Sequence, residues 1–389
     1  MIVKNEAERL AQCLESAQPF VDEIVVVDTG STDDTVAIAQ QFTATIHHHA
    51  WNNDFAAARN YALQYVTGDW VLVLDADEQL TAKAGSQIRP LLEQNPHTLV
   101  INLVRQEIGA AQSPYSLVSR LFRVHPDIRF TRPYHAMVDD SVAEIIRREP
   151  QWTVAELPGV AILHDGYGAE AIANRNKLQN ARLTMERYLA EHPNDPYVCS
   201  KLGALYVQMD RTTYGIDLLK KGLKVANSEA AIAYELHYHL GIAYTQANCM
   251  AQALHHYQAA IEQPILPSLK LGAYNNLGSL RQRTKDLKAA QQLFITVVEI
   301  DPNFAKGHFN LGMVLKQMGQ FAEAIAHYQQ AIQLQADYAE AYQNLGVVLL
   351  KLGRVDRSMA AFREAIALHT QQNPSEAERL RQGLTDMGF

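Results

Sequence analysis

The residues best suited to chemistry in this chain lie in the run Leu74-Asp75-Ala76-Asp77-Glu78. It closes an apolar stretch, Asp69 to Asp75, that reads as a buried strand. Two carboxylates two residues apart, just past such a strand, project into the crevice where open α/β sheets bind ligands. Their oxygens suit Mg²⁺ or Mn²⁺, with phosphate oxygens completing the shell. Taken alone, the tripeptide is as well explained by a solvated turn capping the next helix. A second acidic strand end upstream favours the ligand role. That end is Val27-Asp28-Thr29-Gly30-Ser31-Thr32-Asp33-Asp34-Thr35. Gly30 permits a tight turn, and Ser31 to Asp34 offer helix caps. Plain capping is the expected role of Thr32 and Asp34. Asp28, an acid at a switch point of the sheet, is a candidate for holding a ribose or a base edge.

Other candidates are less specific. His164 follows Ile162-Leu163. A histidine there can complete a shell begun by carboxylates, or simply pack. Lys177, after Arg175 and Asn176, points equally well to phosphate or to solvent. Three successive histidines, His47 to His49, invite a metal reading. Neighbouring strand residues face opposite sides, however, so three cannot share one ion, and a solvated edge is expected.

The elements that must position these residues change character along the chain. Glu23 to Asp28, Asp69 to Asp75 and Leu99 to Val104 are near-continuous apolar strands, which predicts a parallel sheet covered on both faces. Helices are expected at Ala7 to Ala17, Thr35 to Phe42 and Phe55 to Val66. That order is α/β and Rossmann-like. Met1-Ile2-Val3 reads as the end of a first, central strand, for which about 5 residues are usual. Either the start lies upstream or the strand is short.

From about Leu178 the pattern is continuous helix. Leu-Gly pairs recur with their glycines at 203, 241, 278, 312 and 346. Twelve residues on stand Gly215, Ala253, Ala290, Ala324 and Ser358; four further on stand Leu219, Tyr257, Phe294, Tyr328 and Phe362. Small residues let antiparallel helices approach, and large ones are expected to fill the gap to the next repeat. Such hairpins must stack to bury their open faces. Five units in phase define tetratricopeptide repeats. Asn276, Asn310 and Asn344 precede three of the Leu-Gly pairs, so they are candidates for a groove ladder that pairs with an extended peptide. Solvated amides are the plain alternative.

The totals bound the possibilities. The chain has 389 residues and a formal net charge of −8, an acidic balance that argues against nucleic acid as a partner. Cys13, Cys199 and Cys249 are scattered, which gives neither a disulfide framework nor a metal finger. No apolar run reaches the ~18 residues of a transmembrane segment. A cytoplasmic protein is expected, peripheral to a membrane only through its substrate. The expected domains are 1–172, the α/β unit; 173–194, a helical linker; 195–374, five repeats; and 375–389, a polar capping helix.

Four blocks carry a family resemblance: Met1 to Glu6; Val21 to Thr35; Trp51-Asn52-Asn53-Asp54-Phe55-Ala56-Ala57-Ala58-Arg59-Asn60; and Gly68 to Glu78. In that order they resemble the inverting glycosyltransferase family 2, most closely a bacterial branch fused to tetratricopeptide repeats. The resemblance covers about residues 1–170. It implies a GT-A fold with a Rossmann-like mixed sheet and a nucleotide-sugar donor, often UDP-linked. It implies nucleoside contacts near Lys4, Asn5, Glu6 and Asp28, a divalent metal on Asp77, and Asp75 placing ribose and metal. Asp54 and Arg59 would lie near the base, diphosphate or donor sugar. Ile162 to Tyr167 matches the family's apolar-x-His-x-Gly-Tyr pattern.

Arg120 to Phe130 and Arg132 to Val138 resemble the acceptor-side block, with one departure. Many relatives have His-Glu where this chain has His135-Ala136. An inverting transfer needs a carboxylate to take the acceptor proton, so Asp139, Asp140 or Glu144 would have to substitute. Two readings follow: a transferase acting on a glycan, lipid-linked or protein acceptor, or a weak or inactive nucleotide-sugar scaffold whose repeats bind a partner protein.

Overall fold

The computed structural model describes residues 1–110, 113–165, 175–225 and 229–389, without the side chains of 175–177. Gly166, Tyr167 and the side chains of Arg175, Asn176 and Lys177 therefore lie outside the described residues. Chain contacts separate Met1–Asn227 from Ser228–Phe389.

The first unit contains two sheets. In one, β1 (Ile2–Val3), β2 (Val25–Asp28) and β3 (Thr45–His48) run parallel in that order. Helices α1 (Leu10–Ala17) and α2 (Thr35–Gln41) make the crossovers, and Val3, Leu10, Leu14, Val26 and Ala39 form their shared core. The second sheet has the order β4-β7-β6-β8-β5, from β4 (Trp70–Leu72), β5 (Glu78–Leu80), β6 (Thr98–Glu107), β7 (Tyr115–Arg123) and β8 (Thr153–His164). Here only β6 and β8 are parallel. The parallel pairing expected of the apolar runs thus holds for the first three strands, and the domain as a whole has the mixed strand directions that the GT-A resemblance implied. The physical reason is connection length: the seven residues between β6 and β7 are too few for a parallel crossover and close a hairpin instead.

A β-bulge interrupts that hairpin. Ile101 pairs with Leu121 and Leu103 with Val118, so Ser119 and Arg120 both stand against Asn102. Bulges re-aim side chains, and this one serves the site described below. Between Met1, Ile2 and Val25 on one side and Trp70 to Val73 on the other lies a cavity of about 290 Å³. None of Asp28, Asp75 or Asp77 lines it.

Helices α3 (Phe55–Leu63), α4 (Ala82–Gln94) and α5 (Asp139–Arg148) complete the α/β part. Then come α6 (Arg175–Glu191) and one repeat hairpin, α7 (Pro196–Gln208) with α8 (Thr212–Val225). The second unit holds four more hairpins: α9 (Ala230–Gln246) with α10 (Met250–Ile261), α11 (Leu271–Arg283) with α12 (Leu287–Ile300), α13 (Ala305–Gln317) with α14 (Phe321–Leu334), and α15 (Ala339–Lys351) with α16 (Val355–Gln372). Helix α17 (Pro374–Asp386) closes it, its first turn capped by the Asn373 side chain.

The repeat register has a direct steric cause. A Cβ placed on Gly241 would lie 2.5 Å from the Tyr257 ring, on Gly278 2.9 Å from Phe294, on Gly312 2.8 Å from Tyr328, and on Gly346 3.0 Å from Phe362. The large side chain of each second helix therefore packs on the glycine of its own hairpin, rather than only bridging to the next repeat.

The histidine run is not a solvated edge throughout. His47 stacks on Tyr65 with ring centroids 3.4 Å apart, His49 lies 4.8 Å from Tyr61, and both are half-buried; only His48 is exposed. Strand alternation sends 47 and 49 onto the helix-covered face.

Candidate active site

Parallel pairing of Val3 with Asp28 brings the loops after β1 and β2 side by side. Asp28 accepts hydrogen bonds from the Gly30 and Ser31 amides at 3.2 and 3.1 Å, and its Oδ2 lies 3.3 Å from His48 Nδ1. Burial opposes its charge, but the Ser31 and Gly30 bonds outweigh that and hold its pKa below the ordinary range. Asn5, at φ 55°, accepts from the Thr32 amide at 2.7 Å, while its own amide donates to Ser31 Oγ. The Glu6 amide donates to Thr35 Oγ1, and Lys4 is exposed. Asp33, rather than Asp34, turns its side chain to the Thr35 amide.

The Asp75-Ala76-Asp77 loop packs against the same core as these strands. Ala76 is buried in the core shared by Val3, Leu10 and Val26, and the Asp75 carbonyl accepts from Cys13 Sγ of α1. The two acids then diverge. Asp75 Oδ1 accepts from Arg59 Nη2 and Oδ2 from Arg120 Nη2, both at 2.8 Å. Burial penalises its charge, yet Arg120 and Arg59 hold its carboxyl far below the usual carboxylate range. Arg59 comes from α3, which Asp54 starts by accepting the Ala57 amide at 2.9 Å. Asp54 is thus engaged as a helix cap. Arg120 comes from the bulge.

The same arginine links onward. Glu78, with no exposed surface, accepts from Arg105 Nη1 at 2.8 Å, from Arg120 Nη1 at 3.4 Å and from the Asp75 amide at 2.9 Å. Arg105 also pairs with Glu107 at 2.8 Å. Glu107 Oε2 meets His164 Nδ1 at 2.5 Å, and His164 Nε2 faces Asp77 Oδ2 at 3.4 Å. Burial disfavours a charged His164, but Asp77 and Glu107 on its two nitrogens prevail and raise its pKa to about 9. Buried charges persist only when so paired. The spacing arguments did not single out Arg105, Glu78, Glu107 or Ser119. Their one visible signal is Arg105-x-Glu107, two charges on one face of an apolar strand.

The acceptor-side acids differ in freedom. Asp140 is paired with Arg132 at 2.5 Å and with Thr131, and Glu144 with Arg129 at 3.3 Å. Asp139, at the start of α5, lies 2.8 Å from Ser119 Oγ, and burial raises its pKa. Ala136 gives its carbonyl to Arg59 Nη1 at 3.2 Å.

In the repeats the asparagine amides serve this chain. Asn310 Nδ2 donates to Asn275 Oδ1 at 2.7 Å. Asn344 accepts from Lys316 and donates to the Glu340 carbonyl. Asn276 bonds Tyr257.

Among the described residues no three His, Cys, Asp or Glu groups form a ready metal shell, and no helix is long and apolar enough to cross a membrane.

The architecture is an α/β unit with acidic strand ends followed by stacked helical hairpins. The N-terminal part of the chain is a glycosyl transferase family 2 domain, whose profile matches residues 1–154, and the C-terminal part carries tetratricopeptide repeats, matched at 271–304, 293–326, 312–353 and 339–369. It is 44% identical over 365 residues to a TPR repeat-containing protein of Synechococcus elongatus, covering 85% of this chain and 90% of that one. It is 29% identical over 230 residues to the SPbeta prophage-derived glycosyltransferase SunS of Bacillus subtilis, covering 57% of this chain and 52% of SunS. An uncharacterized glycosyltransferase of Rickettsia prowazekii is 38% identical over 185 residues, 45% of this chain and 62% of that one. Among solved structures, YrrB, a TPR protein with an unusual peptide-binding site, superposes with a TM-score of 0.43 at 18% identity, covering 52% of this chain and all of YrrB.

Proposed function

We propose that this glycosyltransferase moves a sugar from a nucleotide-sugar donor, UDP-linked, to a hydroxyl of a glycan, lipid-linked or protein acceptor, with inversion at the anomeric carbon. What supports the reading is the packing of Ala76, between Asp75 and Asp77, in one core with Val3 and Val26 of the strands that lead to Asp28, together with the approach of Asp77 to His164.

Asp28, with Lys4, Asn5 and Glu6 beside it, faces the nucleoside. Asp77 and His164 offer one oxygen and one nitrogen at a common point, which fits Mn²⁺ or Mg²⁺ with the remaining positions open to diphosphate oxygens. Each Asp75 oxygen already accepts from an arginine in this arrangement, which leaves Asp77 and His164 as the freer ligands. A cation held there offsets the charge that builds on the leaving diphosphate. Asp75 holds Arg59 and Arg120 beneath the same charge, where fixed guanidinium groups act without reorganising.

Asp139 is the favoured base. Asp140 and Glu144 are spent on arginines, whereas Asp139 accepts from Ser119 and is made more basic by burial. The repeats offer a surface for a protein partner, with Asn276, Asn310 and Asn344 along it. The protein works in the cytoplasm, meeting a membrane only through its substrate.

The test is release of UDP from a panel of UDP-sugars in the presence of Mn²⁺, compared with Asp77→Ala. The variant is expected to lose turnover and cation-dependent UDP binding together. Turnover at the unaltered rate in Asp77→Ala would overturn the reading.

A further inference from the structure

Three strands meet at His164. It is the last residue of β8, paired in register with Glu107 at the end of β6 on one side and with Glu78 at the start of β5 on the other. The Ile108 amide donates to the His164 carbonyl at 2.9 Å, and the Asp165 amide to the Asp77 carbonyl at 3.0 Å. The backbone of this corner is thereby fixed. The ring orientation is not, because an imidazole can turn about its own axis and exchange its two nitrogens.

Glu107 removes that freedom. Its Oε1 is held by Arg105 Nε at 2.9 Å and by Ser116 Oγ at 2.7 Å. Arg105 is in turn held by Glu78. Only Oε2 remains, and it faces His164 Nδ1 at 2.5 Å. A carboxylate only accepts, so the Nδ1 proton must point at Glu107. Nε2 is then turned to Asp77. Glu107 is 6% exposed.

We infer that Glu107 is a positioning residue that fixes the His164 ring with Nε2 toward Asp77, so that His164 and Asp77 act as a pair. This rests on the reading that the pair holds a divalent cation. A carboxylate behind a metal-facing histidine is a recurrent support whose loss costs about 10- to 100-fold in metal affinity.

The experiment is Mn²⁺ titration of the full chain with UDP, followed by electron paramagnetic resonance, with ¹⁴N modulation of the bound signal as a second readout. Glu107→Gln is expected to weaken Mn²⁺ about 10- to 100-fold and to lose most of the ¹⁴N modulation, with UDP affinity in the absence of Mn²⁺ unchanged. Unchanged Mn²⁺ affinity and unchanged modulation in Glu107→Gln overturn the inference alone. No Mn²⁺ signal in the unaltered chain overturns the cation reading of Asp77 itself. Should Glu107→Gln fail to fold, Ser116→Ala decides, since it removes one of the two side chains that hold Oε1 and keeps the charge: weaker Mn²⁺ binding with reduced modulation supports the inference, and unaltered values overturn it.

Discussion

Asp75 and Asp77 are two residues apart, yet they face different problems. Asp75 is about a third exposed, while the arginines it holds, Arg59 and Arg120, are 7% and 9% exposed. Asp75→Asn leaves two buried guanidinium groups short of a counter-charge and is expected to destabilise the first unit by about 3 kcal/mol in urea unfolding. Asp77→Asn, with one histidine contact, should change stability far less while abolishing turnover. Equal losses for the two would contradict this division. Asp139 yields a pH prediction. A base must be ionised, so activity is present above its pKa and lost as pH falls through it. Burial raises that pKa, and the acid limb of kcat/KM should therefore lie above the range of an ordinary aspartate and vanish in Asp139→Asn. The strand-end acids were legible because hydrophobic runs ending in carboxylates are local patterns. Their pairing was not: Arg59, named only by resemblance, lies 16 positions before Asp75 and Arg120 45 after, and no spacing rule joins them to it.

At the scale of elements, the period of the apolar residues located helices well and sheet pairing poorly. α2 and α3 fall within their expected spans, but the direction of β4 and β7 depends on which strands share an edge, which the residues of one strand do not encode. The bulge at Ser119 and Arg120 is invisible for the same reason, since it exists only against Asn102. The repeats were the most legible part because each repeats its own steric rule. That rule makes a prediction of unusual sign. Gly→Ala inside an exposed helix ordinarily stabilises by about 1 kcal/mol. Gly241→Ala would drive a methyl to 2.5 Å from the Tyr257 ring, and overpacking of this kind costs about 1–3 kcal/mol. Gly346→Ala, at 3.0 Å from Phe362, should cost less. Thermal unfolding of the two variants checks the order; stabilisation by Gly241→Ala would refute the packing account.

At the scale of the molecule, the boundary expected at residue 195 cuts through a packed region. Asp195 Oδ2 accepts from Arg132 Nε at 2.9 Å, and Tyr134 packs with Ala181, Met185, Val198, Leu202 and Leu205. Among the described residues, the carboxylate partners of Arg132 are Asp140 and Asp195. The first repeat hairpin thus completes the α/β unit, and the contact boundary falls at Asn227. Two outcomes follow. In calorimetry the full chain should show separate transitions, and UDP with Mn²⁺ should raise only one of them. At a hundredfold excess over Kd the added stability is about 2.7 kcal/mol, a shift of about 5–10 °C for a unit of this size. A chain ending at Asn227 should keep that shift in full. A chain ending at Asn194 strips the cover from Tyr134 and halves the charge partners of Arg132, which also fixes Asp140 next to the candidate base Asp139. It should lose cooperative melting and UDP binding together, and retention of both would show that the α/β part is complete without the hairpin.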